Sequence, residues 1–119
     1  MTMNEVIEYI DGVKPNAYST EHKYKWLNTV EGLISRDVRG AEVPEYELPD
    51  DADMPLLVES PFDDLYWLYV SAMIDFYNRE YNDYNNVMLM FQERLEAYKA
   101  WYIRTHNPSK ANNFRNVMG

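Results

Sequence analysis

From Pro61 to His106 apolar side chains recur every three or four positions, with one interruption near Asn82 and Asp83. That period belongs to α-helices. Two long helices joined by so short a turn can only lie back on each other as an antiparallel hairpin. The first is read from Pro61 to about Tyr81, with Ser60 as its N-cap, Pro61 in the first helical position, and Asp63 and Asp64 at the positive end of its dipole. Its apolar residues (Leu65, Tyr66, Leu68, Tyr69, Val70, Ala72, Met73, Ile74, Phe76 and Tyr77) go most of the way round, which predicts a central helix buried on several sides. The second runs to about His106, with Val87, Met88, Phe91, Leu95, Tyr98, Trp101 and Tyr102 on one broad face, and Asn107 and Pro108 stop it. Each helix would span roughly 30 Å.

Two further helices precede the hairpin. A short one, about residues 3 to 12, opens on Thr2 with Glu5 three places on, a capping-box spacing, and ends at Gly12 and Pro15. A medium one begins after Ser19 or Thr20 and runs to about Val38, with Tyr24, Leu27, Val30, Leu33, Ile34 and Val38 at helical spacing and Gly40 placed for a left-handed cap. No segment sustains the period-2 alternation of a strand. The predicted fold is therefore all-α: a small helical bundle in one domain, residues 1–119, with a loop at 41–59 and a polar tail at 108–119. Pro44, Pro49 and Pro55 exclude a continuous helix in the loop, and loops of that length are functional or disordered more often than not. The apolar patch Met54 to Val58 is expected to pin its far end to the core.

Charge is distributed unevenly. Residues 42 to 64 hold nine acidic side chains and no Lys or Arg, which equals the whole net charge of −9. The remaining chain balances, and its end, from Arg104 through His106 and Lys110 to Arg115, is free of acid. Such polarity suits head-to-tail contact between copies. The contact residues this suggests are Glu45, Glu47, Asp50, Asp51 and Asp53 on one side and Arg104, Lys110 and Arg115 on the other. The plainer alternative is a solvated loop kept soluble by its charge. Generic binding to phosphate backbones is disfavoured by the overall sign.

Several chemistries are excluded or unsupported. There is no cysteine, so disulfide scaffolds, thiolate metal sites and cysteine nucleophiles drop out. The glycines at 12, 32, 40 and 119 are too scattered for a phosphate-cradling loop. His22 and His106 have no histidine partner at i+3 or i+4, so both are read as solvent-facing, and no metal or other cofactor is expected. Asp75 interrupts an apolar stretch and is read as the partner of Arg79 on the polar seam of its helix, or failing that as a buried or interfacial polar contact. No catalytic residue is identified. The N-terminus lacks the basic stretch and apolar run of a signal peptide, and no apolar run approaches the roughly 20 residues of a membrane span, so a cytosolic protein is expected.

Tyrosine is over-used, at eleven residues, with Tyr66, Tyr69, Tyr77, Tyr81, Tyr84, Tyr98 and Tyr102 on the hairpin beside Trp67 and Trp101. A tyrosine buries a ring yet needs a partner for its hydroxyl, which suits a boundary between proteins as well as a slightly wet core. The ring surface exceeds what one hairpin can hide, so self-association is expected.

The run from Glu59 to His106 resembles head-tail connector, or adaptor, proteins of tailed phages and prophages. The likeness rests on Pro61-Phe62-Asp63-Asp64-Leu65-Tyr66, on Ile74-Asp75-Phe76-Tyr77-Asn78 with Glu80-Tyr81, on Tyr84-Asn85-Asn86 and Phe91, and on Arg104-Thr105-His106. More loosely it extends to the turn Lys14-Pro15-Asn16. Pro61, Phe62, Asp63, Leu65, Tyr66, Asp75, Tyr77, Asn78, Tyr81, Tyr84 and Asn85 are then structural. The resemblance implies a cofactor-free helical subunit that forms a ring, contacts the portal and tail-completion proteins, and extends a channel through which DNA slides without specific binding. It also implies assembly in the host cytoplasm and residence in the virion neck. An acidic regulatory module that occupies a nucleic-acid-binding partner is the second reading, and an enzyme ranks last.

Overall fold

The computed structural model describes residues 1–106. Four helices follow in order: α1 Met3–Val13, α2 Thr20–Ile34, α3 Asp64–Tyr77 and α4 Tyr81–His106, with a π turn Ser35–Arg39 continuing α2. No strand forms among the described residues; Thr2 and Pro55 make an isolated antiparallel bridge. The all-helical fold with a C-terminal hairpin is as the periodicity implies.

Local chemistry accounts for the helix ends. The Thr2 hydroxyl accepts the Glu5 N–H while the Glu5 carboxylate accepts the Thr2 N–H, so α1 opens with a complete capping box. Ser19 caps α2 by accepting the His22 N–H. Gly40, at φ 61°, closes the π turn in the left-handed conformation that costs a residue without Cβ least.

The hairpin departs from its expected boundaries at both helix ends. α3 begins at Asp64 rather than Pro61, because residues 59–63 form turns in which the Phe62 N–H bonds to the Glu59 carbonyl. Ser60 is thus not an N-cap. Contacts to α4 hold the segment in that form: Arg94 pairs with Asp64 at 2.8 Å, donates to the Pro61 carbonyl at 3.0 Å and lies over the Phe62 ring at 5.0 Å. At its other end α3 stops at Tyr77, and the reversal is made by Asn78, Arg79 and Glu80, with Arg79 at φ 63°. α4 accordingly starts at Tyr81, ahead of the expected turn at Asn82 and Asp83. The two helices are unequal, about 21 Å and 39 Å long at 1.5 Å per residue, where equal lengths were expected.

α3 is the central helix and touches α1, α2 and α4. Leu65, Tyr66, Leu68, Val70 and Ile74 are buried on it, in one cluster with Met3, Val6, Ile10, Leu27, Val30 and Ile34 from the N-terminal helices. α4 is held from one side: of its 26 residues only Phe91, Leu95 and Tyr98 are buried. The loop contributes Ala52, Leu56 and Val58 to the core, and Tyr46, Leu48 and Phe62 pack against it. Its irregular backbone is tied down at several points, among them Asn4 N–H to the Ala52 carbonyl and Leu56 N–H to the Met1 carbonyl. No described helix is long and apolar enough to cross a membrane.

Candidate interaction surface

Two buried carboxylates fix the frame on which the outer surface is displayed. Glu31, on the apolar face of α2, is 1% exposed. Its Oε1 accepts the Tyr66 hydroxyl, and its Oε2 accepts the Tyr46 hydroxyl and the Leu57 N–H, both at 2.9 Å. Three hydrogen bonds to one carboxylate offset the cost of burying it. They also join α2, α3 and both halves of the acidic loop. Burial and the adjacent Glu31 charge push the Tyr66 and Tyr46 hydroxyls well above the usual tyrosine range.

Asp75 is the second. It is 1% exposed and pairs with Lys14, the residue that follows α1, whose ammonium also donates to the carbonyl and hydroxyl of Ser71. The expected pairing with Arg79 on a polar seam does not occur, because the C-terminal half of α3 turns Asp75 inward toward α1. A third buried charge, Lys23, bonds Asp11 at 2.7 Å and the Tyr18 carbonyl at 2.9 Å. At the hairpin tip one oxygen each of Asp75, Glu80 and Asp83 lies within 4.8 Å of the others. The Lys14 ammonium and the positive end of α4 lessen their mutual repulsion.

On this frame the acidic side chains of the loop point outward. Glu45, Glu47, Asp50 and Asp53 are exposed, and half-buried Asp51 accepts the Glu47 N–H at 2.7 Å. None of the five forms an ion pair among the described residues; Asp53 accepts a hydrogen bond from Asn4. Arg104 is exposed in the last turn of α4. Lys110 and Arg115 lie outside the described residues, and so do the expected helix stop at Asn107 and Pro108 and the tail. Within the chain the structure does not bring Arg104 into an ion pair with the loop acids.

The residues quoted for the connector resemblance fall into three groups by exposure. Leu65, Tyr66 and Asp75 are buried, while Phe62, Asp63 and Tyr84 are half-buried, with Tyr84 against Phe76 at 5.3 Å between ring centroids. Pro61, Tyr77, Asn78, Tyr81 and Asn85 are exposed. Tyr77, Tyr81 and Phe76 leave 56%, 53% and 42% of their surface in solvent at the hairpin tip. Further along α4, Leu89 and Met90 are 64% and 52% exposed. Asn85, Met88, Leu89 and Gln92 line a shallow depression there.

An aromatic shelf adjoins the tip. Trp26 stacks on Tyr77 at 5.7 Å and 14° and on His22 at 6.1 Å and 23°, and the Tyr18 hydroxyl donates to Asn78 Oδ1 at 2.8 Å. Reading the helices singly missed this shelf, because Trp26 and Tyr77 meet only when α2 crosses α3. It also missed Glu31, although the signal was present: the residue lies four places after Leu27 and follows Val30, so it breaks an apolar stripe as Asp75 does. Both histidines are exposed, as expected, with His106 stacked on Tyr102 at 4.0 Å.

Comparison with models of known protein families, with curated proteins and with solved structures gave no match.

Proposed function

We propose that this chain is a structural subunit of a phage or prophage neck, a head-tail connector that assembles with copies of itself and with portal and tail-completion proteins and catalyses no reaction. The observation that carries this reading is the apolar surface of the hairpin. α4 is packed from one side, and Leu89, Met90, Phe76, Tyr77 and Tyr81 all stand in solvent. Several large apolar side chains exposed along one helix and its tip are characteristic of surfaces that another polypeptide covers. Acid on the loop and an acid-free terminal stretch give a head-to-tail contact its direction. The same sign on a channel wall would repel DNA and let it slide.

Sedimentation velocity of the purified chain, alone and with a candidate portal, tests the reading. Large rings or a portal complex are expected; a monomer under both conditions would overturn it. Deleting residues 42–53 is a poor probe of the loop, because Ala52 is core and Tyr46 holds Glu31. Neutralising Glu42, Glu45, Glu47 and Asp50 to amides leaves those contacts intact and is expected to weaken assembly.

The outward acids without ion-pair partners also favour a second reading, an acidic module that occupies a nucleic-acid-binding partner. A monomer or dimer that competes with nucleic acid for such a partner would select it.

A further inference from the structure

The loop wall and the N-terminal half of α2 enclose an open groove of about 250 Å³, lined by Glu21, Tyr24, Lys25, Leu48 and Pro49. Its floor is apolar, from the Tyr24 ring, Leu48 and Pro49. Its surroundings are acidic. Glu21 lines it directly, and Glu47 and Asp50 are the exposed neighbours that flank Leu48 and Pro49 in the chain. Lys25 is the one basic side chain in the lining, and Glu21, Glu47 and Asp50 have no ion-pair partner among the described residues.

The groove is also held in shape. The Tyr24 hydroxyl donates to Asn4 Oδ1, and Asn4 Nδ2 donates in turn to Asp53 Oδ1, both at 2.8 Å, so the floor and the loop wall are coupled through one side chain of α1. Residues 47–52 close on themselves through Asp51 N–H to the Glu47 carbonyl, Ala52 N–H to the Pro49 carbonyl and Glu47 N–H to Asp51 Oδ2. The Glu31 cluster fixes Tyr46 and Leu57 on either side of that turn. A loop without regular structure thus presents a preformed wall, which lowers the ordering cost of whatever binds it.

We infer that this groove docks an extended basic peptide segment of a partner polypeptide, with one apolar side chain seated on Tyr24, Leu48 and Pro49 and flanking Lys or Arg residues on Glu21 in the lining and on the exposed carboxylates of Glu47 and Asp50 next to it in the chain. Phosphate-bearing ligands are repelled by the same carboxylates, and an acidic or uncharged apolar segment leaves them unpaired. The inference deepens the assembly reading and rests on it for the choice of partner class. It fails separately: a chain that forms no ring yet binds such a peptide sinks the connector reading and keeps the groove.

The probe is a synthetic peptide with the sequence of residues 107–119, which carries Lys110, Phe114 and Arg115 and no acid. The receptor is the ¹⁵N-labelled full chain with Lys110→Glu and Arg115→Glu, so that its own bases do not compete. Addition of peptide at low salt is expected to shift the amide resonances of Tyr24, Lys25 and Leu48. Glu47→Gln with Asp50→Asn, both at exposed positions, is expected to weaken binding about threefold to tenfold, and about 0.5 M NaCl to weaken it similarly. Lys25→Glu is expected to tighten it, a change of sign that simple hydrophobic adsorption would not give. No groove shifts at millimolar peptide, shifts centred instead on Trp26 and Tyr77, or an affinity indifferent to salt and to the amide substitutions would each overturn the inference.

Discussion

The Tyr66 hydroxyl donates to Glu31 Oε1 and at the same time accepts the Val58 N–H at 2.8 Å. One phenol on the central helix thereby joins a buried carboxylate of α2 to the loop segment that returns toward α3. The acidic loop is fixed from inside, so its charges can face outward without the segment being free to collapse or extend.

Removing the carboxylate should therefore cost far more than a surface substitution. Glu31→Ala strands two tyrosine hydroxyls and the Leu57 N–H and is expected to lower the unfolding free energy by about 3 kcal/mol or more, at about 1–3 kcal/mol for each buried group left unpaired. Tyr46→Phe removes a single hydroxyl and is expected to cost about 1 kcal/mol. Urea titration followed by far-UV circular dichroism gives both values; a midpoint unmoved by Glu31→Ala would show that the cluster does not hold the loop.

Alkaline pH should act on the same cluster. Burial raises the Tyr66, Tyr46, Tyr69 and Tyr98 hydroxyls above their ordinary range. Each folded-state value therefore lies above the unfolded one, so their contribution to stability is fully present below about pH 10 and is lost as pH rises beyond it. Absorbance at the phenolate band is expected to show these four tyrosines ionising together with unfolding. Tyr66→Phe, compared with the wild type, should flatten the fall in stability above about pH 10.

Asp75 gives a test between two pairings. Breaking a buried pair from one side leaves an uncompensated charge, so Lys14→Met and Asp75→Ala are each expected to cost about 3–5 kcal/mol. Lys14 keeps some solvent exposure, so Asp75→Ala, which leaves only that ammonium without its partner, falls at the lower end, and Lys14→Met, which leaves a buried carboxylate, at the upper end. Arg79→Ala is expected to change stability by less than about 0.5 kcal/mol. Thermal unfolding of the three variants measures this, and a large Arg79 effect would restore the intrahelical pairing.

Two glycines should respond to alanine in opposite directions. At Gly12, near the end of α1, an added Cβ meets nothing within 4 Å, so Gly12→Ala is expected to stabilise by about 0.5–1 kcal/mol. At Gly40 the space is equally open but φ is 61°, and Gly40→Ala is expected to destabilise by about 1 kcal/mol. Differential scanning calorimetry of the pair separates backbone strain from packing, since neither site has a neighbour to clash with.

The sequence alone determined what depends on neighbours a turn or less apart. Apolar spacing placed all four helices; Thr2 with Glu5, Ser19 and Gly40 placed three of their ends, because caps are local hydrogen bonds and local dihedral preferences. Charge segregation was likewise legible, being a property of residue order. The tertiary structure decided everything that requires two segments to meet. Arg94 reaching across from α4 moved the start of α3 from Pro61 to Asp64; the turn after α1 gave Asp75 its lysine; α2 crossing α3 made the Trp26–Tyr77 stack. Glu31 took three partners from residues 15, 26 and 35 positions away, and through them an irregular acidic segment became a fixed wall. A carboxylate in an apolar stripe announces that it will need partners, but only the packed chain brings donors within reach of it.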